Sequence, residues 1–287
     1  MHTAAYMKPL APGARLQSLT PDPWTDLREL TAARIALGRV GVSQPTQALL
    51  EFGLAHAQAR DAVHTPLQIE PLTTDLQADG WRVLRVHSRA PDRAHYLRRP
   101  DLGRRLDEAS AQMLSGPQQA AGTHGSELLV FVVADGLSAT AVQRHARPLL
   151  QAARSALAGS AFTLGPVVIA EQARVALGDD VGQCLGAQAV VLLVGERPGL
   201  SSPDSLGIYL TWAPRVGRMD SERNCISNIR PEGLPPEQAA RILAGLLAGA
   251  RRLGATGVAL KDDAPALLDS SADRPALGER NFPKEHP

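Results

Sequence analysis

Two short apolar runs constrain the fold of this chain more than any other feature of its sequence. They are ELLVFVVA, from Glu127 to Ala134, and AQAVVLLV, residues 187–194. Continuous runs of this length, rich in Val and Leu, are typical of strands that are buried on both faces of a sheet. A chain that contains such strands has to provide helices that cover both faces.

The segments around these runs have the patterns of such helices. Helical spacing of apolar residues, with Pro or Ser near the start and Gly past the end of some segments, predicts helices over residues 101–114, 138–157, 179–185 and 235–253. Further apolar runs predict strands over residues 82–88, 166–170 and 206–212. Strands that alternate with helices over about 180 residues predict an α/β fold with a mainly parallel sheet that is flanked by helices.

The two ends of the chain have different patterns. Residues 1–23 are rich in Ala and Pro, and residues 262–287 lose periodicity, so we predict a flexible arm and a disordered tail. Residues 24–80 are predicted to form a helical N-terminal extension, with one helix that ends at Gly38 and another over residues 46–60. Residues 81–261 are predicted to form the sheet-based domain.

The composition argues against several classes of protein. No run of about 18 apolar residues exists, which predicts no membrane span, and the N-terminus lacks the apolar segment of a secretory signal. The two cysteines, Cys184 and Cys225, form no CxxC motif, which excludes a disulfide scaffold and a cysteine-rich zinc site and favours a reducing cytosol. The net charge of +1 argues against a general nucleic-acid binder.

Polar residues follow the buried runs at the strand ends, where open α/β sheets bind their ligands. Asp135 and Ser138 follow the first run, and Ser138 is predicted to cap the next helix. Glu196 follows the second run in a loop rich in Gly and Pro, and Val175 lies in the segment after residues 166–170. Each feature also has a plain structural interpretation, as a helix cap, an exposed loop or a solvated connection.

The sequence contains no established catalytic motif. Cys225 lies in RNCISNI, residues 223–229, which we predict to be a polar loop, and no His is close to it in sequence. An inert thiol is therefore favoured over a nucleophile. The phosphate-binding loop, the GxGxxG fingerprint, the HExxH zinc motif and the GxSxG elbow are missing, and so is the D-x-H-x-x-G pattern of some cobalamin proteins.

Eight arginines lie between Arg82 and Arg105, against only Asp92 and Asp101. This segment is either a solvated surface or a binding surface for an anion, RNA or the carboxylates of a partner. Aromatic residues make up only 3% of the chain, which disfavours single-stranded nucleic acid because its binding sites stack bases on aromatic rings.

Five segments of the chain carry a resemblance to a known family. They are ARIALGRVG (33–41), YLRRPDLGRRL (96–106), VVADGLSATAV (132–142), GERPGLSSPDSLG (195–207) and RNCISNIRPEG (223–233). In this order they resemble the small (light) subunit of ethanolamine ammonia-lyase. The resemblance covers roughly residues 30–260, and the last two segments are long and uncommon, which makes it specific.

The resemblance implies a Rossmann-like α/β fold and a role in an adenosylcobalamin-dependent lyase that converts ethanolamine to acetaldehyde and ammonia by a radical mechanism. It implies that a large barrel subunit binds the substrate, whereas this chain encloses the cobalamin at the subunit interface. The cobalamin contacts of the family fall on Val175, Glu196 and Cys225, and we expect Asp135 and Ser138 to be neighbours on the same sheet edge. No catalytic residue and no direct metal ligand is expected on this chain, because the cofactor holds the cobalt and supplies the chemistry.

Two other classes of function compete with this one. A free-standing hydrolase or nucleotide-binding domain is supported only by the fold class, and a non-catalytic scaffold or RNA-binding module would use the segment from Arg82 to Arg105. The expected location is the cytoplasm, either free or within a bacterial microcompartment. Neither nucleic acid nor a membrane is an expected partner.

Overall fold

A computed structural model describes residues 19–31, 33–116 and 127–261 of the chain. The predicted tail over residues 262–287 and most of the predicted arm, residues 1–18, lie outside the described residues.

A six-stranded sheet organises the described part of the chain. Its strands are β1 (Val83–His87), β2 (Glu127–Ala134), β3 (Phe162–Glu171), β4 (Ala189–Gly195), β5 (Leu206–Trp212) and β6 (Arg223–Ile229), in the spatial order β1-β3-β2-β4-β5-β6. The first three pairings in that order are parallel, and β5 pairs antiparallel with both β4 and β6. Every strand except β5 therefore ends at the same edge of the sheet, which we call the carboxyl edge. The α/β fold class is confirmed, and the sheet is mixed.

Helices flank both faces of this sheet. The α-helices of the described residues are α1 (Thr46–His64), α2 (Ile69–Ala78), α3 (Arg93–Arg98), α4 (Glu108–Leu114), α5 (Ala139–Ala156), α6 (Leu177–Leu185) and α7 (Pro236–Leu253). Short 3-10 helices lie at Thr25–Leu30, Leu102–Arg104, Asp220–Glu222 and Gly257–Ala259. Among the described residues, none of the helices is long and apolar enough to cross a membrane.

Within the part of the chain that the structure describes, the core consists of two apolar clusters, one on each face of the sheet. On one face, α2, α5 and α7 pack against side chains such as Phe131 of β2 and Leu193 of β4. On the other face, α4 and α6 pack against alternate residues of the same strands, such as Val130 and Leu192. Because β2 and β4 supply both clusters, they are apolar along almost their whole length, as the sequence predicted.

Three predicted helices agree with the structure to within two residues at each end. Helix α5 begins after Ser138, whose hydroxyl accepts a hydrogen bond from the Ala141 amide at 3.2 Å, so the predicted cap is confirmed. Helix α6 and helix α7 both end at a glycine in the left-handed conformation, Gly186 and Gly254. A left-handed terminal residue is a common helix stop, because glycine adopts it without a steric cost.

The helix predicted to end at Gly38 is wrong. Within residues 24–31 and 33–38, which the structure describes, the one helix is the 3-10 helix Thr25–Leu30. The apolar residues Trp24, Leu27 and Leu30 are all exposed. Since no core packs against the predicted apolar face, the periodicity alone does not produce an α-helix.

The helix predicted over residues 101–114 is correct only in its second half. Helix α4 begins at Glu108, after Asp107 caps it by accepting a hydrogen bond from the Ser110 amide at 2.8 Å. The first half contains Gly103, where an added Cβ would lie 3.0 Å from the Gln172 carbonyl oxygen. This close packing against a neighbouring loop fixes a tight turn in place of a continuous helix.

The polar loop predicted over residues 223–229 is also wrong, because this segment is strand β6. It pairs with β5 on one side only and is an edge strand of the sheet. Ile226 and Ile229 are buried, while the residues between them face outward. An edge strand with so few buried positions has too little alternation for its pattern to be recognised in the sequence.

Candidate functional site

Most of the candidate residues lie at the carboxyl edge. Asp135 and Ser138 follow β2, Val175 follows β3, and Glu196 follows β4 directly. Cys225 lies within β6, directly opposite Tyr209 of β5. The topology therefore places four of the five predicted residues in loops at one edge and the fifth on the adjoining strand.

One part of the sheet is more open than the rest. Helix α6 packs on β2 and β4, and α4 packs on β1 and on α6. Beyond them, Tyr209 of β5 is half-buried and Cys225 of β6 is exposed. We call the face of β5 and β6 that carries these two side chains the open face.

The Glu196 carboxylate is held at the open face by the chain itself. Its Oε2 accepts hydrogen bonds from the Ser205 hydroxyl and from the Asn228 amide, the latter at 3.2 Å. A Cβ at Gly207 of β5 would lie 2.8 Å from Glu196 Oε1, so the missing side chain leaves room for the carboxylate to lie across the strand. The result is a fixed hydrogen-bond acceptor next to Tyr209.

Tyr209 and Cys225 both retain their protons at neutral pH. The pKa of Tyr209 is raised to about 12, chiefly by burial and also by the adjacent Cys225 thiol and the Glu196 carboxylate. The pKa of Cys225 is also raised, chiefly because its thiol is partly shielded although the residue as a whole is exposed. A protonated thiol is a poor nucleophile, which agrees with the inert cysteine favoured by the sequence.

Asp135 fixes the loop that carries Val175. Its carboxylate accepts hydrogen bonds from the amides of Gly136, Gln172 and Ala173, each at 2.9 Å. The side chain is almost fully buried, and its Oδ2 lies 3.7 Å from Arg93 Nη1. Desolvation nevertheless dominates and raises the pKa of Asp135 to about 6.

Ser138 fixes the loop that carries Glu196. Its hydroxyl donates a hydrogen bond to the Pro203 carbonyl oxygen at 2.8 Å while it also caps α5. Arg144 of α5 pairs with Asp204 in the same loop at 2.8 Å. Ser138 is fully buried, so its hydroxyl contacts other residues of the protein and not solvent.

A buried ion pair attaches β6 to α6. Arg223 at the start of β6 donates two hydrogen bonds to the Asp179 carboxylate, at 2.6 and 2.7 Å, and a third to Thr211 at 2.9 Å. Both charged side chains are only 2% exposed. This pair determines how the strand with Cys225 sits against the rest of the sheet.

The structure brings Glu196 and Cys225 together on the open face, and Val175 packs against the same apolar cluster as Tyr209. Asp135 and Ser138 are buried and form hydrogen bonds with the loops that carry Val175 and Glu196. Tyr209 was missed by the sequence analysis, because an aromatic residue inside an apolar run is read as part of the core.

Four of the eight arginines between Arg82 and Arg105 lie close to carboxylates. Arg85 pairs with Glu70 at 2.5 Å, Arg99 with Asp101 at 2.7 Å and Arg105 with Asp180 at 2.8 Å. Arg93 lies 3.7 Å from the Asp135 carboxylate. These pairs neutralise half of the segment's arginines, which disfavours a continuous basic surface for RNA.

Comparison with known proteins identifies the family of this chain. The family model described as Ethanolamine ammonia-lyase light chain (EutC) matches residues 21–261. Three similar proteins, each named ethanolamine ammonia-lyase small subunit, come from Ralstonia nicotianae, Pseudomonas aeruginosa and Xanthomonas campestris. In that order, they are 52%, 54% and 54% identical to this chain. The matches cover 92%, 88% and 90% of this chain and 95%, 92% and 91% of the similar proteins. The chain therefore belongs to the family of ethanolamine ammonia-lyase light chains, the small subunits of a two-subunit lyase.

Proposed function

We propose that this chain pairs with a large subunit to form an adenosylcobalamin-dependent lyase that converts ethanolamine to acetaldehyde and ammonia. Family membership supports the reaction and the partner. The observation that carries the role of this chain is the convergence of Glu196, Tyr209 and Cys225 on the open face. The proposed location is the cytoplasm, either free or within a microcompartment.

The open face suits the chemistry of a cobalamin. A corrin ring is broad and carries amide side chains, which need hydrogen-bond acceptors as well as donors. Glu196 offers a fixed carboxylate acceptor, and Tyr209 offers a hydroxyl that stays protonated because its pKa is about 12. Because Gly207 has no side chain, the Glu196 carboxylate can lie across β5 and present its acceptor there.

Each residue of the site has a distinct proposed role. Glu196 accepts hydrogen bonds from amide N–H groups of the cofactor, Cys225 packs beside the ring, and Val175 adds an apolar contact. Asp135 and Ser138 are neighbours of the site that position the loops of Val175 and Glu196. When bound, adenosylcobalamin supplies the radical chemistry, while this chain binds and orients it and excludes water.

Reconstitution tests this function directly. The chain is co-expressed with a large subunit of ethanolamine ammonia-lyase, and ammonia release from ethanolamine is measured with and without adenosylcobalamin. We expect activity only when both chains and the cofactor are present. Activity of the isolated chain, or of the pair without cofactor, would contradict the proposal.

The Glu196→Ala substitution tests the cofactor site separately from catalysis. We expect the assembled enzyme to bind hydroxocobalamin about 10-fold more weakly, because one hydrogen bond to a charged acceptor is lost. Spectroscopic titration measures this affinity. Glu232→Ala is the matched control, since Glu232 is an exposed carboxylate that pairs with Arg230 at 3.8 Å. Equal affinities of the two variants would remove Glu196 from the site.

A further inference from the structure

Helix α1 packs its small residues inward and its large residues outward. Its two buried residues are Ala55 and Ala62, and it packs on α5. Its larger apolar side chains are exposed, namely Leu49, Leu50, Phe52 and Leu54. Two alanines bury little apolar surface, so the contact with α5 contributes little to the stability of a 19-residue helix.

The segment before α1 packs beside this helix, since Arg28 and Arg34 line one cavity together with Ala48 of α1. Leu27 and Leu30 of the 3-10 helix are exposed, as is Trp24 directly before it, and Val42 is fully exposed. We call these residues and the four large residues of α1 the apolar N-terminal surface. Single exposed apolar residues are common, but an exposed group of this size indicates an interaction site.

This surface adjoins the loops of the candidate site. Arg93 joins them, because its Nε donates to the Val63 carbonyl of α1 at 2.7 Å and its Nη1 donates to the Gly136 carbonyl at 2.8 Å. Arg34 makes a second link, since its Nη2 donates to the Leu200 carbonyl at 3.4 Å in the loop after Glu196. The end of α1 and the residues around Arg34 therefore lie beside the carboxyl edge.

We propose that the apolar N-terminal surface is the docking surface for the large subunit. The inference rests on the proposed function, in which the two subunits share a cofactor at the carboxyl edge. A partner that meets this edge also meets the surface next to it. The apolar character of that surface fits a permanent interface, which resembles a protein core more closely than a transient contact does. A second copy of this chain would cover the same residues without supplying a substrate-binding partner to the edge.

A charge-insertion variant tests the inference. Leu50 is 69% exposed and Leu54 is 61% exposed, so glutamate at both positions leaves the fold of the isolated chain intact. We expect Leu50→Glu/Leu54→Glu to retain the circular dichroism spectrum and melting temperature of the wild type. Capture of the co-expressed large subunit by the tagged chain should fall at least ~10-fold, because buried apolar side chains dominate interface energetics.

Leu253→Glu is the matched control, because Leu253 is 51% exposed but lies on α7. It should capture the large subunit as the wild type does. If the wild type captures the large subunit and Leu50→Glu/Leu54→Glu captures it equally well, the docking surface is wrong while the proposed function stands. If the wild type captures none, the proposed function itself fails.

Two measurements on the isolated wild-type chain address the other occupants of this surface. Sedimentation should show a monomer, and a dimer that Leu50→Glu/Leu54→Glu dissociates would assign the surface to a second copy. Hydrogen exchange of the α1 amides should be fast in the isolated chain and slow in the complex. Slow exchange in the isolated chain would mean that the chain covers this helix itself, which would overturn the inference.

Discussion

Asp135 shows how one buried carboxylate organises the loops of the carboxyl edge. Three backbone amides from two loops converge on it, and Arg93 lies 3.7 Å from it. Gln172, one of the three donors, has a φ of +51°, a left-handed conformation that is unfavourable for a residue with a side chain. The carboxylate therefore holds the loop of Val175 in a shape that it would not adopt alone.

The pH dependence of stability tests this account of Asp135. Its pKa is about 6 in the folded chain against an ordinary value of 3.8, so the folded state binds the proton more tightly. The contribution of Asp135 to the free energy of unfolding is therefore fully present below pH 3.8 and is lost as the pH rises through about 6. From the ~1.4 kcal/mol that each pKa unit represents, we expect a loss of about 3 kcal/mol.

Urea denaturation of the wild type and of Asp135→Asn across this pH range measures the loss. The other titrating groups are common to both chains and cancel in the difference. As the pH rises, we expect the free energy of unfolding of the wild type to fall relative to that of Asp135→Asn. A difference that is independent of pH would mean that Asp135 titrates in its ordinary range.

The residues of the site differ in how far the sequence predicts them. Asp135, Ser138 and Glu196 follow buried runs, so their place at the strand ends can be derived from the pattern alone. Val175 and Cys225 acquired a role only through the family resemblance. No pattern in the sequence marks Tyr209 as a site residue. Its exposure depends on which part of the sheet is left without a covering helix, and this is known only once the sheet is assembled.

Among the secondary-structure elements, β6 shows the limit of sequence reasoning most clearly. Strands β2 and β5 were predicted with their observed boundaries, since both are buried almost throughout. Strand β6 carries the polar residues Ser227 and Asn228 on exposed positions, and so it resembles a loop in sequence. Its place in the sheet depends on pairing with β5 and on the ion pair of Arg223 with Asp179, which lies 44 residues earlier in the chain.

The Arg223→Met substitution tests the importance of that ion pair for β6. It leaves the Asp179 carboxylate buried without its partner, and we expect a loss of about 3–5 kcal/mol in the free energy of unfolding. Arg99→Met is the control, because Arg99 and Asp101 form an exposed pair with about 60% of each side chain accessible. The control should lose no more than ~1 kcal/mol. Similar losses for both variants would show that β6 is held by backbone pairing with β5 alone.

At the scale of the whole molecule, the two faces of the sheet are covered unequally. Helices α2, α5 and α7 pack on one face, whereas α4 and α6 leave Tyr209 and Cys225 accessible on the other. In the proposed complex, this chain therefore contacts only one side of the cofactor. A ligand that is covered on one side gains only part of the burial that tight binding requires.

Thermal unfolding in the presence of hydroxocobalamin tests this division of the site. We expect no change in the melting temperature of the isolated chain at micromolar cofactor and a clear increase for the complex with the large subunit, because only the folded complex binds tightly. The Glu196→Ala complex should show a smaller increase. An equally large increase for the isolated chain would show that one subunit is sufficient for binding.

The outward-facing leucines of α1 also have a consequence for the amount of this protein in a cell. A helix that is weakly held until a partner covers it opens readily, and open segments are the preferred substrates of proteases. Copies that find no large subunit would then be degraded faster than paired copies. Such selective turnover would match the abundance of the two chains after translation, without any need for equal rates of synthesis.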